Sequence, residues 1–209
     1  MSERGTETLM PPQPDVLHSP AIIDPADSIL LVIDLQEGFL RKLSPNRREA
    51  IIDHCRFVVE VATRLGIPLF ATVEDPEKNG MTAERVRICF DPGLAQRQKS
   101  IFGLCGQDDL REAILAQPKR TAVLIGMDTD VCVLQSAVGL RAAGFRSVIV
   151  SDATEAPGRA RKQGLARAAA LGVEIVATRG LYYEWVRSLD RWAFAQAPPT
   201  ISPPAGAVL

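Results

Sequence analysis

Three residues of this chain stand just after, or near the end of, a stretch that reads as a strand, and their side chains complement one another. Asp34 closes SILLVID, Lys99 lies in RQKSIFG, and Cys132 follows TAVLIGMDTDV. A carboxylate, an ammonium and a thiol are a base, a counter-charge and an attacking atom, the parts that nucleophilic catalysis needs. Each also has a plain reading, as a strand-ending aspartate, a solvated lysine and a core cysteine. The stretch from Thr121 to Ala137 reads as a buried strand that stops at Gly126, a turn through Met127, Asp128 and Thr129, and a helix starting near Cys132. At such a junction, unpaired backbone N–H groups and the helix dipole would favour the thiolate.

The elements that must position these residues can be read from apolar periodicity. SILLVIDLQ suits a strand buried on both faces and ending at Asp34. After Pro45 and Asn46, the residues Ile51, Ile52, Cys55, Val58, Val59, Ala62 and Leu65 recur at helical spacing until Gly66. IPLFATVED is a second strand ending near Glu74, followed by the turn residues PEKNG. A less regular stretch, Met81 to Ala95, precedes a short strand near residues 97 to 99. Asp108 or Asp109 is placed to cap the helix LREAILAQ. The helix after Cys132 ends near Gly144, then come the strand SVIVSDAT, a helix from Gly158 to Leu171, the strand VEIVAT and a final helix from Leu181 to Ala195.

Short strands alternating with helices predict a three-layer, doubly wound α/β fold, with a mostly parallel sheet and helices on both faces. Ligands bind such sheets beyond the carboxyl ends of the strands, near the point where strand order reverses. Residues 25–195 are read as the folded domain, with an N-terminal arm, disordered or laid across a neighbour, at 1–24 and a proline-rich tail at 196–209.

Composition narrows the partners. The 209 residues are 46% hydrophobic and 23% charged, and 24 basic residues face 25 acidic ones. That balance offers no electrostatic case for nucleic acid or a membrane surface, and points to a small-molecule substrate or copies of the same chain. MSERGTETLMPPQP lacks the apolar core of a signal peptide, so a cytoplasmic setting is expected. Cys55, Cys89, Cys105 and Cys132 form no CxxC pair, and the histidines are His18 and His54 alone, so reduced thiols are expected and neither a metal nor a cofactor. Cys55 and His54 read as helix residues with no catalytic part. There is neither a GxGxxG nor a P-loop pattern.

LLVIDLQEGF, KSIFG, VLIGMDTDVCVLQSA and VSDAT, in that order over roughly residues 28 to 180, resemble the isochorismatase-like cysteine hydrolases, a family that includes nicotinamidases and related amidases. The resemblance implies Asp34 as proton acceptor, Cys132 as nucleophile, and Lys99 as the charge that keeps Asp34 ionised and favours the thiolate. It implies a cis peptide between Met127 and Asp128 and an oxyanion hole formed by the N–H groups of Asp128 and Cys132. The activity implied is hydrolysis of a C–N bond in a small amide-like substrate through a thioester, releasing ammonia or an amine. True isochorismatases act on a vinyl ether and lack the cysteine, so Cys132 argues against that activity. Nicotinamidases bind a metal through an aspartate and histidines, and no DxH pattern follows Asp34 here.

Phe39, Glu74 and Phe102 follow strand ends and are candidates for lining the pocket, as is Asp75. Asp152 is read as ordering its own loop, and Cys105 is given no role. LYYEWVRSLDRW gathers both tyrosines and both tryptophans, which points to an interface and a homo-oligomer, with packing on the chain's own sheet as the competing explanation. A non-catalytic small-molecule or protein-binding module on the same fold is the alternative to a hydrolase.

Overall fold

Uninterrupted runs of branched aliphatic residues become strands here, and amphipathic stretches become the helices between them. The structure is a computed structural model that describes Met10, residues 19–196, residues 201–205 and Ala207. In chain order the elements are β1 (Ser28–Ile33), α1 (Glu37–Leu40), α2 (Pro45–Arg64), β2 (Leu69–Glu74), α3 (Pro76–Asn79), α4 (Glu84–Arg87), β3 (Gln96–Lys99), α5 (Asp108–Leu115) and β4 (Thr121–Met127). A π-helical turn (Thr129–Val133) then leads into α6 (Leu134–Ala142), β5 (Arg146–Glu155), α7 (Ala160–Ala170), β6 (Glu174–Val176), α8 (Thr178–Val186) and α9 (Leu189–Gln196).

The six strands form one sheet in the order β3-β2-β1-β4-β5-β6, and the strand pairings are parallel. This is the doubly wound α/β arrangement expected from the sequence. Strand order reverses between β1 and β4, which pair in register from Ser28 with Thr121 to Ile33 with Gly126.

Alternation along the strands explains the two cores. Leu30 and Val32 of β1, with Val123 and Ile125 of β4, pack on one face against Ile51, Cys55 and Val58 of α2 and Leu181 and Trp185 of α8. Ile29, Leu31 and Ile33, with Ala122 and Leu124, pack on the other face against Leu110 and Ile114 of α5 and Ala137 and Leu140 of α6. Successive side chains of a strand point to opposite faces, so a sheet covered on both sides needs apolar residues at every position. All six residues of β1 and all seven of β4 are buried.

Three expectations about elements are corrected. The final helix is two helices, because Arg187 takes φ 57° and breaks the chain direction between α8 and α9. Asp108 and Asp109 lie inside the first turn of α5, with Gln107 before it, and act there on the helix dipole instead of capping. The chain after β4 enters a π-helical turn instead of an α-helix at Cys132. The arm at 1–24 lies outside the described residues except for Met10 and 19–24, and the tail is described only at Gln196, 201–205 and 207, where Ile201 and Ala207 are buried.

Candidate active site

Asp34, Glu74, Lys99 and Cys132 meet at the carboxyl ends of β1, β2, β3 and β4. Asp34 leaves β1 with φ 44°, a left-handed conformation that aspartate tolerates better than most residues. Its N–H donates to the Thr72 carbonyl at 3.2 Å, and its own carbonyl accepts from the Gln36 N–H at 2.7 Å. The Thr72 hydroxyl donates to Asp34 Oδ1 at 2.8 Å. Thr72 and Glu74 alternate along β2 and so share a face.

Lys99 comes from the edge strand. It pairs in register with Glu74, and its long side chain crosses the end of β2 to reach β1. Its Nζ lies 2.7 Å from Asp34 Oδ2, donates to Glu74 Oε2 at 3.0 Å, and donates to Cys132 Sγ at 3.4 Å. Glu74 Oε2 is 3.8 Å from the same sulfur. One ammonium thus touches two carboxylates and the thiol.

The backbone of Glu74 is fixed by Gln36, a wholly buried residue. Gln36 Nε2 donates to the Glu74 carbonyl at 3.0 Å and its Oε1 accepts from the Glu74 N–H at 2.7 Å. The turn that carries Cys132 is braced as closely. The bond between Met127 and Asp128 is cis. The Asp128 carbonyl accepts from the N–H groups of both Val131 and Val133, each at 3.1 Å. An irregularity in the β4–β5 pairing passes from Leu124 with Ile149 to Gly126 with Thr154. It brings the Thr154 hydroxyl to the Gly126 carbonyl at 2.8 Å and the Thr129 hydroxyl at 3.0 Å.

Burial dominates the electrostatics. It pushes the Cys132 thiol up to about 12, with the Asp34 carboxylate pushing the same way and Lys99 opposing. Burial and the neighbouring carboxylates thus outweigh Lys99, and the thiol holds its proton more firmly than a free cysteine does. Burial also raises Asp34 above its ordinary 3.8, against the pull of Lys99 and Thr72. For Lys99, burial opposes the charge, but the pairing with Asp34 prevails and its pKa rises. Asp128 is pushed up to about 6 by burial, with Lys42 opposing and Asp130, Asp34 and Glu74 adding to the rise.

Asp34, Glu74 and Cys132 bring three potential ligand atoms within 4.8 Å of one another. Lys99 Nζ, however, lies within 3.4 Å of all three side chains, so a metal ion there would meet an ammonium at contact distance. The donor set does not fit a metal.

Of the pocket candidates, the structure brings Glu74 into contact with the thiol and sets Phe102, half exposed, with its ring centre 5.9 Å from Lys99 Nζ. Phe39 packs against the β1–α2 core, with Lys42 Nζ 4.6 Å from its ring centre. Asp75, at φ 42°, starts α3. Asp152 accepts from the Thr178 N–H and hydroxyl and orders the β5–α8 junction, while Cys55 donates to the Ala153 carbonyl within the core. His54 bonds Thr178 in the same network. Sequence reasoning missed Gln36, Thr72 and the Thr129–Thr154 pair. Thr72 could have been found from its same-face spacing to Glu74.

The "Isochorismatase domain" family model matches residues 28–180. "Isochorismatase family protein 1B" of Dictyostelium discoideum is 23% identical, over 88% of this chain and 90% of its own length. The structure of MAR1 ribonuclease from Caenorhabditis elegans superposes with a TM-score of 0.77 at 23% identity, covering 90% of this chain and 98% of that one. The YcaC gene product of Escherichia coli, described as an octameric hydrolase of unknown specificity, superposes with a TM-score of 0.76 at 20% identity, covering 88% and 94%.

Proposed function

The chain belongs to the isochorismatase-domain family, and from that premise we propose that it is a cysteine hydrolase that cleaves a C–N bond of a small amide-like substrate. The observation that carries the reading is the placement of Lys99 Nζ, 2.7 Å from the Asp34 carboxylate and 3.4 Å from the Cys132 sulfur. A thiol that holds its proton needs a base at the moment of attack. Asp34, whose carboxyl is raised toward the thiol, is that base.

In the first half of the reaction the Cys132 proton passes to Asp34 as sulfur bonds to the carbonyl carbon. The carbonyl oxygen takes up the electron pair and is held by the N–H groups of Asp128 and Cys132. Collapse breaks the C–N bond while Asp34 returns its proton to nitrogen, so ammonia or an amine leaves and a thioester remains. In the second half, water gives a proton to Asp34 as its oxygen bonds to the same carbon. The C–S bond then breaks, the acid leaves, and the proton returns to sulfur. Lys99 holds Asp34 ionised between turnovers.

The test is a panel of primary amides, ureides and carbamoyl compounds assayed for ammonia release, with Cys132→Ala as the control. The expected result is release by the native chain and a loss of about 10³-fold or more in the variant at unchanged fold. No release across the panel, or near-native release by Cys132→Ala, overturns the reading.

The same proposal includes a homo-oligomer and a cytoplasmic setting. Leu189 is 84% exposed beside Trp192 and Tyr183 on a cleft between α8 and α9, which supports burial against a second copy. Tyr182 and Trp185 of the same aromatic stretch are core residues instead. The four cysteines are unpaired, as suits a reducing compartment. No helix among the described residues is long and apolar enough to cross a membrane. Light scattering on the eluting protein is expected to give a multiple of 22.7 kDa; a monomer overturns the assembly.

A further inference from the structure

Glu74 is the fourth group at the thiol, and acid–base chemistry with Asp34 and Cys132 leaves it without a task. Its Oε2 binds Lys99 and lies 3.8 Å from Cys132 Sγ, and its side chain, unlike those of Asp34 and Lys99, is partly exposed, at 26%. Of the two carboxylates that share Lys99, it is the one that solvent reaches. The Gln36 clamp on both sides of its peptide holds it in that position.

The charges around the sulfur do not cancel. Asp34 and Glu74 share one Lys99, and the thiol is neutral, which leaves one negative charge in excess. Farther out, Lys42 offsets Asp128, while Asp130 adds to the negative side. Burial is the main cause of the rise in Asp128, and Asp34 and Glu74 add to it with the sign of the same excess charge. We propose that Glu74 sets the charge selectivity of this pocket, admitting neutral or cationic amides and turning away substrates that carry a carboxylate or phosphate beside the scissile bond. Its carboxylate accepts hydrogen bonds and donates none, so it also matches the N–H groups of an amide or ureide. The inference rests on the amide-hydrolase reading, but its test does not depend on turnover.

The Cys132 sulfur, as it gives up its proton, attacks the methylene carbon of iodoacetamide or of iodoacetate and displaces iodide; the two reagents differ by one charge, so the ratio of their rates at Cys132 cancels any change in the nucleophile itself. Labelling is followed on the Cys132 peptide by mass spectrometry, which separates it from Cys55, Cys89 and Cys105. Relative to 2-mercaptoethanol, the native chain is expected to favour iodoacetamide by about tenfold, the size of effect that a close, partly screened charge produces. Glu74→Gln is expected to lower that preference threefold or more, and Glu74→Asp to keep it. A smaller fall in Glu74→Gln, or no labelling of native Cys132 by iodoacetamide, overturns the inference. Should Glu74→Gln not fold, raising salt from about 0.05 to about 1 M must narrow the native preference; a preference unmoved by salt overturns it equally. Ammonia release with an unmoved ratio removes the role of Glu74 alone, whereas a shifted ratio without ammonia release removes the hydrolase reading alone.

Discussion

Lys99 Nζ and Asp34 Oδ2 lie 2.7 Å apart with neither side chain exposed to solvent, although the two residues come from strands separated by β2. Such a pair is costly to desolvate and costlier to break, because removing one partner strands the other charge. The neighbours show how this one is supported: Thr72 donates to the second carboxylate oxygen, and Glu74 and Cys132 take further contacts from the ammonium. The pair thus ties the edge of the sheet to the strand at its reversal point.

Lys99→Met is expected to lose about 3 to 5 kcal/mol of stability at pH 7, as for other buried pairs cut on one side, together with turnover. The loss has a direction in pH. Asp34 is raised above 3.8 in the folded chain, so between its unfolded and folded pKa the folded state binds more protons and stability falls as pH rises. Without Lys99 the folded value climbs higher and the window widens upward. Urea unfolding should therefore find part of the loss recovered at pH 5. A variant equally destabilised at both pH values would show that Asp34 is not the stranded charge.

Asp128 offers the converse case, a carboxylate whose removal should help. Its Oδ1 is buried without a hydrogen bond among the described residues, and its pKa is pushed up to about 6. The folded state again holds the proton more tightly, so the native chain loses stability as pH rises from about 4 to about 6. Asp128→Asn carries no charge and escapes that loss. It is expected to be more stable than the native chain at pH 7.5 by about 2 kcal/mol, or several degrees in Tm, and to match it near pH 4. An advantage that persists at pH 4 would point to a cause other than this carboxyl group.

Much of this was legible in the sequence, and the gaps have physical reasons. Asp34 and Cys132 could be picked out because β1 and β4 are buried throughout and the polar residues beyond their ends mark the ligand edge, whereas Lys99 closes β3, whose four residues are all polar, and was marked by the resemblance of KSIFG. The layers followed from β1 and β4, whose unbroken apolar runs fit no half-exposed strand. The state of the thiol was not legible. A helix start and a lysine argue for a thiolate, but the enclosure around Cys132 and the two carboxylates beside it are properties of the assembled site. Gln36 escaped for a similar reason, since its partners, Glu74 and Gly80, lie 38 and 44 residues away. The break at Arg187 has no glycine or proline to announce it.

Gly126 is where the placement of Asp34 and of Cys132 depends on a single missing side chain. Its φ is 115°, and a Cβ there would sit 2.0 Å from the Ile33 carbonyl oxygen, the residue before Asp34. Neither strand can recede, because Ile33 and Gly126 are partners in the β1–β4 register and every residue of both strands is buried. Gly126→Ala must therefore open the ladder at the point where β1 delivers Asp34 and β4 delivers the cysteine turn. Gly144 is the control, with φ 92° and nothing within 4 Å of its Cβ position, so Gly144→Ala carries the conformational penalty alone. That penalty is about 1 to 2 kcal/mol, whereas the Gly126 variant is expected to lose more than about 4 kcal/mol, in the range reserved for severe core disruption. Urea midpoints of the two variants decide between these cases. Equal losses would mean that β1 and β4 do not approach as closely as the site requires.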